Sequence, residues 1–142
     1  MPKRAITDQQ IVDCFAVLGE LRPHLERGDF LSTVRAMGNE GYQLAYIEDT
    51  ERVVAVAGFR INTNLFMGKH LYVDDLVTTQ SARSQGYGGQ LLAWLQHEAN
   101  EQGCKVLHLD SGTQRAQAHK FYFEQGFTIA SFHFSQQLDE AG

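Results

Sequence analysis

The sequence has 142 residues, of which 43% are hydrophobic and 20% charged, and its formal net charge at neutral pH is −5. This length fits one domain that buries roughly two thirds of the surface exposed by its unfolded chain, so we expect a single domain over residues 1–142. The acidic balance argues against nucleic acid as a partner and is mildly favourable for a cationic small substrate. There is no apolar run of ~18 residues and no signal-peptide core, which predicts a cytoplasmic protein without a membrane partner.

The first part of the chain predicts a short edge strand and two helices. Lys3–Ile6 fits the strand, and Thr7 with Gln10 fits a capping box at the start of the first helix, which should end near Gly19. The second helix should stop at Gly38 or Asn39. The apolar stripes of the two helices are Ile11, Cys14, Phe15 and Leu18 in the first, and Phe30, Leu31, Val34 and Met37 in the second.

The remainder of the chain predicts three consecutive strands, followed by helices and strands in alternation. A turn at residues 48–51 should join the first two of these strands into a hairpin. The predicted segments are strands Tyr42–Ile47, Val53–Ile61 and Leu71–Thr78, a helix over residues 89–102, strand Val106–Leu109, a helix over Gln114–Gln125 and a last strand Phe127–Phe134. Residues from Gln136 onward should be frayed. The order predicts an α/β (α+β) protein in which antiparallel strands precede a parallel crossover.

The stretch between the strand from Leu71 and the following helix has the chemistry of an anion site. It reads Arg83-Ser84-Gln85-Gly86-Tyr87-Gly88-Gly89. Glycine lets the backbone approach a ligand closely, and the first turn of a helix presents unpaired N–H groups at the positive end of its dipole. The sequence lacks the features of a dinucleotide fingerprint and of a nucleotide triphosphate loop.

Two motifs together resemble the GNAT superfamily of N-acetyltransferases. Arg83-x-x-Gly86-x-Gly88 matches the family's Q/R-x-x-G-x-G/A pattern after a strand, and residues 118–127 match its AxxFYxxxGF pattern. The resemblance implies the GNAT fold, a mixed and mostly antiparallel central sheet with a splayed parallel strand pair, flanked by helices. It also implies that the bound pyrophosphate belongs to acetyl-CoA (coenzyme A).

The resemblance further implies a set of cofactor-binding positions. The backbone of Leu76, Val77 and Thr78 should pair with the pantetheine arm as an extra strand would, with the Leu76 N–H polarising the thioester carbonyl. Arg115 occupies a position where family members frequently carry asparagine, and it could reach a cofactor phosphate or be exposed. The glycine-loop positions implied to bind the cofactor are Arg83, Ser84, Gln85, Gly86, Tyr87, Gly88 and Gly89.

Two adjacent carboxylates, Asp74 and Asp75, interrupt the apolar strand before this loop. Strict alternation would place Asp75 with Leu71, Val73 and Val77 on one face, and Asp74 on the other. One interpretation is structural, with one acid bonded to a turn and the other in solvent. The functional interpretation makes Asp74 or Asp75 the anchor and general base for an amine, whose pKa of ~10 keeps it protonated at neutral pH. The pair resembles the acidic pair of diamine and polyamine acetyltransferases, whose carboxylates face the substrate.

Tyr122 corresponds to the family tyrosine near the cofactor sulfur, and the resemblance implies that it is the general acid for the departing thiolate. A packing role beside Phe121 and Phe127 is the structural alternative. A bound water or His108 are further alternatives for the base. The histidines show no ligand spacing, so we expect no metal site. We interpret the two cysteines as reduced and buried.

The function predicted from the sequence is acetyl transfer from acetyl-CoA directly to a primary amine, with a small cationic molecule as the favoured acceptor. A protein or peptide amine, and acyl groups longer than acetyl, are open alternatives. A module that senses acyl-CoA or an amine without turnover is the alternative from another class. Dimerisation through the last strands is common in the family, and the sequence leaves a homodimer undecided.

Overall fold

The computed structural model describes residues 1–139. The chain divides into two compact units, residues 1–109 and residues 110–142. Elements of the first unit are β1 (Lys3–Arg4), α1 (Asp8–Asp13), α2 (Phe15–Leu21), α3 (Arg27–Gly38), β2 (Gln43–Asp49), β3 (Arg52–Asn64), β4 (Gly68–Thr78), a 3-10 turn (Gln80–Ala82), α4 (Tyr87–Glu101) and β5 (Val106–Leu109). The second unit contains α5 (Ala116–Glu124).

The five strands form one sheet in the order β1-β2-β3-β4-β5. The first three pairings are antiparallel, and β4 pairs with β5 in parallel. A parallel neighbour requires a crossover, which α4 supplies. The predicted fold class is therefore confirmed: a mixed, mostly antiparallel sheet with one parallel pair and flanking helices. That residues 1–142 form a single domain stays a prediction.

Local signals in the sequence set several boundaries. Both hydrogen bonds of the predicted capping box form, from the Gln10 N–H to the Thr7 hydroxyl and from the Thr7 N–H to the Gln10 side chain. The hairpin between β2 and β3 turns at Thr50 and Glu51, whose φ values of 52° and 64° are both left-handed. A two-residue turn with positive φ at both positions matches the twist of the flanking strands.

The first helix differs from its prediction. A single helix ending near Gly19 was expected, whereas α1 ends at Asp13 and α2 continues to Leu21. At the break, the Cys14 N–H donates to the carbonyl of Ile11, three residues back, which tightens the last turn. The Cys14 side chain is fully buried at this corner.

The predicted last strand, Phe127–Phe134, is wrong. Residues 127–139 contain no helix or strand. Phe132 and Phe134 are 84% and 91% exposed. Alternating aromatic residues favour a strand only where a neighbouring backbone pairs with them, and no strand pairing in the described chain includes this segment. The tail predicted from Gln136 lies partly outside the described residues.

One hydrophobic cluster joins α1, α2 and α3 to the face of the sheet that they cover. Its members include Leu18, Phe30, Tyr42, Val56 and Val77. On the other face, Phe59 of β3 packs edge-on against Trp94 of α4, with 5.8 Å between ring centroids. No helix among residues 1–139 is long and apolar enough to cross a membrane.

Candidate active site

The parallel strand pair opens where the predicted site begins. β5 pairs with β4 only opposite residues 70–73, ending at Val73 and Leu109. Leu76, Val77 and Thr78 are paired with β3 on one edge. Within residues 1–139 no strand pairs with their other edge. This stretch of β4 therefore has the unpaired backbone that an extended ligand needs.

The glycine loop leads from this strand into α4. Gly86 is the residue before the helix, has φ of +84° and gives no side-chain cap to the first turn. Ser84 also has a positive φ, of 66°. The first N–H groups of a 15-residue helix are thus left without a side-chain acceptor, which is the arrangement that binds phosphate.

Two side chains of the loop make contacts within the protein. The Arg83 Nε donates to the Thr78 carbonyl at 3.4 Å, a long hydrogen bond. The Tyr87 hydroxyl donates to Asp49 Oδ2 at 2.7 Å, and this bond raises the pKa of Tyr87. These contacts attach the loop to the end of β4 and to the β2–β3 hairpin.

The loop fits the pyrophosphate of coenzyme A. A Cβ placed on Gly86 would find no other atom within 4 Å, so the space beside this turn is open. Gly88 and Gly89 lie in the first turn of α4. The open edge of β4, the uncapped helix start and the cationic Arg83 are the features by which the chain would hold the cofactor's arm and phosphates.

A β-bulge in β4, at the two aspartates, interrupts the alternation of side chains between the two faces of the sheet. Gly58 of β3 pairs with Asp75 and Phe59 pairs with Val73, so Asp74 is an extra residue without its own partner. Beyond the bulge Val77 packs in the cluster with α1, α2 and α3, which includes neither Leu71 nor Val73. The predicted shared face for Val73 and Asp75 is therefore wrong, because one inserted residue reverses the alternation.

Both carboxylates are paired with arginines. Arg60 Nε lies 3.2 Å from Asp74 Oδ2, and Arg22 Nε lies 2.9 Å from Asp75 Oδ1. Arg22 Nη2 also donates to the Asp74 carbonyl at 3.0 Å. The structural interpretation expected one acid bonded to a turn and the other in solvent. Both acids form ion pairs instead.

Tyr42 also contacts this network of aspartates and arginines. Its hydroxyl donates to Asp75 Oδ2 at 2.7 Å, and the Arg60 guanidinium lies 5.5 Å from its ring centroid. Burial, followed by the charge of Asp75, raises the Tyr42 pKa far above its usual value, so the hydroxyl keeps its proton. The tyrosine crosses Gly58, where a Cβ would lie 1.9 Å from its oxygen. Gly58 is thus the position that lets Tyr42 reach Asp75.

Asp74 has the properties of a proton acceptor. Desolvation raises its pKa, the Arg60 charge opposes that rise, and Asp75 adds to it. Its Oδ1 atom is buried and accepts no hydrogen bond from the residues that the structure describes. A carboxylate with an elevated pKa and an unused oxygen is suited to accept a proton from a bound group.

A cavity of about 170 Å³ reaches this network from the helix side. Leu18, Leu25, Phe30 and Met37 line most of it, and Asp75 lines it from the sheet. A larger cavity of about 410 Å³ lies between the α1–α3 side and β2, and neither the aspartates nor the glycine loop line it. Only the smaller of these two cavities meets the predicted chemistry.

His108 belongs to a hydrogen-bonded pair. Asn64 Oδ1 accepts the Met67 N–H, which turns Asn64 Nδ2 toward His70 Nε2 at 3.4 Å. His70 Nδ1 and His108 Nε2 lie 2.9 Å apart, within hydrogen-bond distance. The role of His108 as an alternative base stays a prediction.

Tyr122 and Arg115 lie in the second unit. Tyr122 is on α5 between the rings of Phe121 and Phe127, at 5.4 and 5.8 Å between centroids. Burial raises its pKa and the charge of Arg115 lowers it. The hydroxyl is therefore protonated at neutral pH, as a general acid requires. Arg115 precedes the first turn of α5, and the roles of both residues stay predictions.

Sequence reasoning missed Arg22, Tyr42, Gly58 and Arg60. Arg22 follows α2 and Tyr42 precedes β2, whereas Gly58 and Arg60 both lie in β3. These segments are distant in sequence, and their meeting depends on the register of β2, β3 and β4. Gly58 was the available signal, because a lone glycine inside a strand marks a bulge or a close approach. Among residues 1–139 no group of three or more His, Cys, Asp or Glu side chains is placed to hold a metal ion.

Comparison with known proteins assigns a family to this arrangement. The sequence model of the acetyltransferase (GNAT) family matches residues 9–127. An uncharacterized N-acetyltransferase of Bacillus subtilis, YhdJ, is 33% identical over 138 residues, which cover 96% of this chain and 97% of that protein. The aminoalkylphosphonate N-acetyltransferase of Salmonella typhimurium is 35% identical over 66 residues, or 46% of this chain and 43% of that protein.

A solved structure extends the comparison to the whole fold. AAC(6')-Iy in complex with the bisubstrate analog CoA-S-monomethyl-acetylneamine superposes with a TM-score of 0.86, covering 98% of this chain and 97% of that one. The identity is 12%, so this likeness concerns the fold alone.

Proposed function

Because the chain belongs to the GNAT family of acetyltransferases, which use acetyl-CoA, we propose that it transfers the acetyl group directly to a primary amine of a small molecule. The amine is cationic in its free form. One relative supports a small amine as the acceptor, since the Salmonella protein is an aminoalkylphosphonate N-acetyltransferase.

The observation that carries the proposal is the open edge of β4 between the glycine loop and the acidic bulge. The backbone of Leu76, Val77 and Thr78 lacks a strand partner on that edge within the described chain. Asp74, with its raised pKa and unpartnered oxygen, lies two residues before Leu76. A binding edge for the acetyl donor and a proton acceptor are thus adjacent on β4.

Each residue then has one task. Acetyl-CoA supplies an activated acetyl group when it is bound. The loop from Arg83 to Gly89 binds its phosphates, and the Leu76 N–H polarises the acetyl carbonyl. Asp74 accepts a proton from the ammonium so that the nitrogen lone pair is free to form the new N–C bond. As the C–S bond breaks, Tyr122 would protonate the sulfur. The second proton that the nitrogen loses in becoming an amide would pass to solvent, from which the tyrosine would regain its own.

The proposal is tested first at the glycine loop. A Gly86→Val variant should bind acetyl-CoA at least about tenfold more weakly, because a β-branched residue resists positive φ and displaces the backbone N–H groups. Gly86→Asn, which tolerates this conformation, should bind with intermediate affinity. Isothermal titration measures both, and a Gly28→Ala variant in α3 is the matched control. Equal affinity in all these proteins would place the phosphates elsewhere.

A further inference from the structure

The two aspartates at the bulge do not form a free anionic patch. Arg60 pairs with Asp74 and Arg22 pairs with Asp75. The formal charges of these four side chains cancel. A partly buried site with balanced charge does not favour a polycation, because each additional buried charge needs a partner of its own.

Both arginines retain N–H donors that no acceptor among residues 1–139 uses. Arg60 bonds to Asp74 through Nε alone, which leaves both Nη nitrogens. Arg22 uses Nε and Nη2, which leaves Nη1. Their side chains are 24% and 43% exposed, so an anion from solvent can reach them. A planar guanidinium binds phosphonate, phosphate and carboxylate oxygens with good geometry.

Asp74 supplies the complementary feature. Its Oδ1 is buried and has no hydrogen-bond donor within the described part of the chain. An unpaired buried carboxylate oxygen is costly, and an ammonium group is the donor that satisfies it best. The bulge thus offers one acceptor for an amine and several donors for an anion.

The contacts at the bulge limit the length of the acceptor. Arg60 Nε lies 3.2 Å from Asp74 Oδ2, and Arg22 Nη2 lies 3.0 Å from the Asp74 carbonyl oxygen. The donors for an anion are therefore close to the carboxylate that would bind the amine. A short carbon chain spans such a separation between an amine and an anionic group.

We infer that the acceptor is a small zwitterion, a primary amine on a short carbon chain that also bears an anionic group, with Asp74 binding the amine and Arg60 and Arg22 binding the anion. This inference rests on the proposed function and specifies its substrate. A zwitterion adds no net charge to the balanced cluster, and it partners the free oxygen and the free N–H groups at once.

A series of amines that differ in one terminal group tests the inference. The acceptors are 2-aminoethylphosphonate, β-alanine, propylamine and 1,3-diaminopropane, compared by kcat/KM for release of free thiol from acetyl-CoA. At least one of the two anionic acceptors should exceed propylamine by about tenfold or more, as expected for charge-assisted hydrogen bonds. The better of the two identifies the anion. The diamine should be the poorest.

Arginine variants separate recognition of the anion from neutralisation of the aspartates. Arg60→Gln and Arg22→Gln should remove most of the preference for the anionic acceptor while the rate with propylamine changes less. Arg35→Gln is the control, because Arg35 is an exposed arginine paired with Asp8 on the surface. Ethylphosphonate, which has no amine, should inhibit competitively against the acceptor and lose potency in Arg60→Gln.

The outcomes distinguish the two levels of the proposal. Preference for propylamine or the diamine overturns the zwitterion while amine acetylation stands. Equal losses with anionic and neutral acceptors in the arginine variants overturn the anion role and assign the arginines to charge balance. If no amine of any class supports release of thiol from acetyl-CoA, the proposed function and this inference are overturned together.

Discussion

At the scale of single residues, the two adjacent aspartates differ in their contacts, and the proposed choice of the base depends on that difference. Asp75 accepts hydrogen bonds at both oxygens, from Arg22 and Tyr42. Asp74 bonds through Oδ2 only, and desolvation raises its pKa. The sequence predicted that at least one of the two acids serves the amine and left open which one is the base. The contacts of the pair favour Asp74, and its role stays a prediction.

An Asp74→Asn variant should therefore lose about a hundredfold or more in kcat, the lower range of general-base contributions. The raised pKa means that folding disfavours the ionised form of Asp74. Removal of that charge in Asp74→Asn should therefore not lower the free energy of unfolding at neutral pH. Asp75→Asn should lose stability instead, since it weakens the bonds to Arg22 and Tyr42. Steady-state kinetics and urea unfolding of both variants provide the comparison, and a full rate in Asp74→Asn would exclude it as the base.

Tyr122 is the second residue whose proposed role depends on its protonation state. Tyr122→Phe should reduce kcat by about a hundredfold and leave the affinity for acetyl-CoA nearly unchanged, because only the proton donor is removed. Phe123→Leu, an exposed neighbour on α5, is the control. Kinetics combined with titration of acetyl-CoA separate the two effects. A loss of affinity without a loss of kcat would indicate packing or binding instead of proton transfer.

At the scale of elements, the sequence predicted what local patterns encode. The capping box at Thr7, the hairpin at Thr50 and the helix after Gly86 all follow from residues close in sequence. The bulge at Asp74 is a relation between two strands, so alternation alone suggested the wrong face for Asp75. The lone Gly58 in β3 was its local signal, but a glycine does not say which residue of the facing strand is inserted. The segment Phe127–Phe134 had strand-like composition, but strand formation depends on a partner that composition does not reveal.

Gly58 provides a test of the bulge and the network beneath it. Gly58→Ala should lower the free energy of unfolding by about 1–3 kcal/mol, the usual cost of overpacking, because its Cβ would overlap the Tyr42 hydroxyl. Gly19→Ala in α2, where a Cβ meets nothing within 4 Å, should instead raise it by about 0.5–1 kcal/mol. Urea unfolding measures both. Equal behaviour of the two variants would show that Tyr42 does not occupy the space over Gly58.

At the scale of the whole molecule, the buried thiol of Cys14 couples stability to alkaline pH. Burial raises the pKa of Cys14 to about 12, with the charges of Asp13 and Glu48 adding to the rise. The unfolded thiol ionises near pH ~8.5. Above that pH the folded chain holds a proton that the unfolded chain has lost, so this group's contribution to stability falls as pH rises from about 9 to 12.

A Cys14→Ala variant isolates this effect, because other titrating groups remain in both proteins. Between pH 8 and pH 10 the natural sequence should lose about 2 kcal/mol more unfolding free energy than the variant, at ~1.4 kcal/mol per pH unit. Urea unfolding at the two pH values measures the difference. Parallel losses in the two proteins would mean that the Cys14 thiol ionises normally in the folded state.

The most direct measurement of the central claim is the stoichiometry of acetyl transfer. The purified protein is mixed with acetyl-CoA and a small primary amine, and free thiol and N-acetylated amine are quantified in parallel, by thiol reagent and by mass spectrometry. We expect equal amounts of the two products with at least one amine, and strongly reduced amounts in Asp74→Asn. Tight binding of acetyl-CoA with no acetylated product from any amine would contradict the account and favour a sensing module.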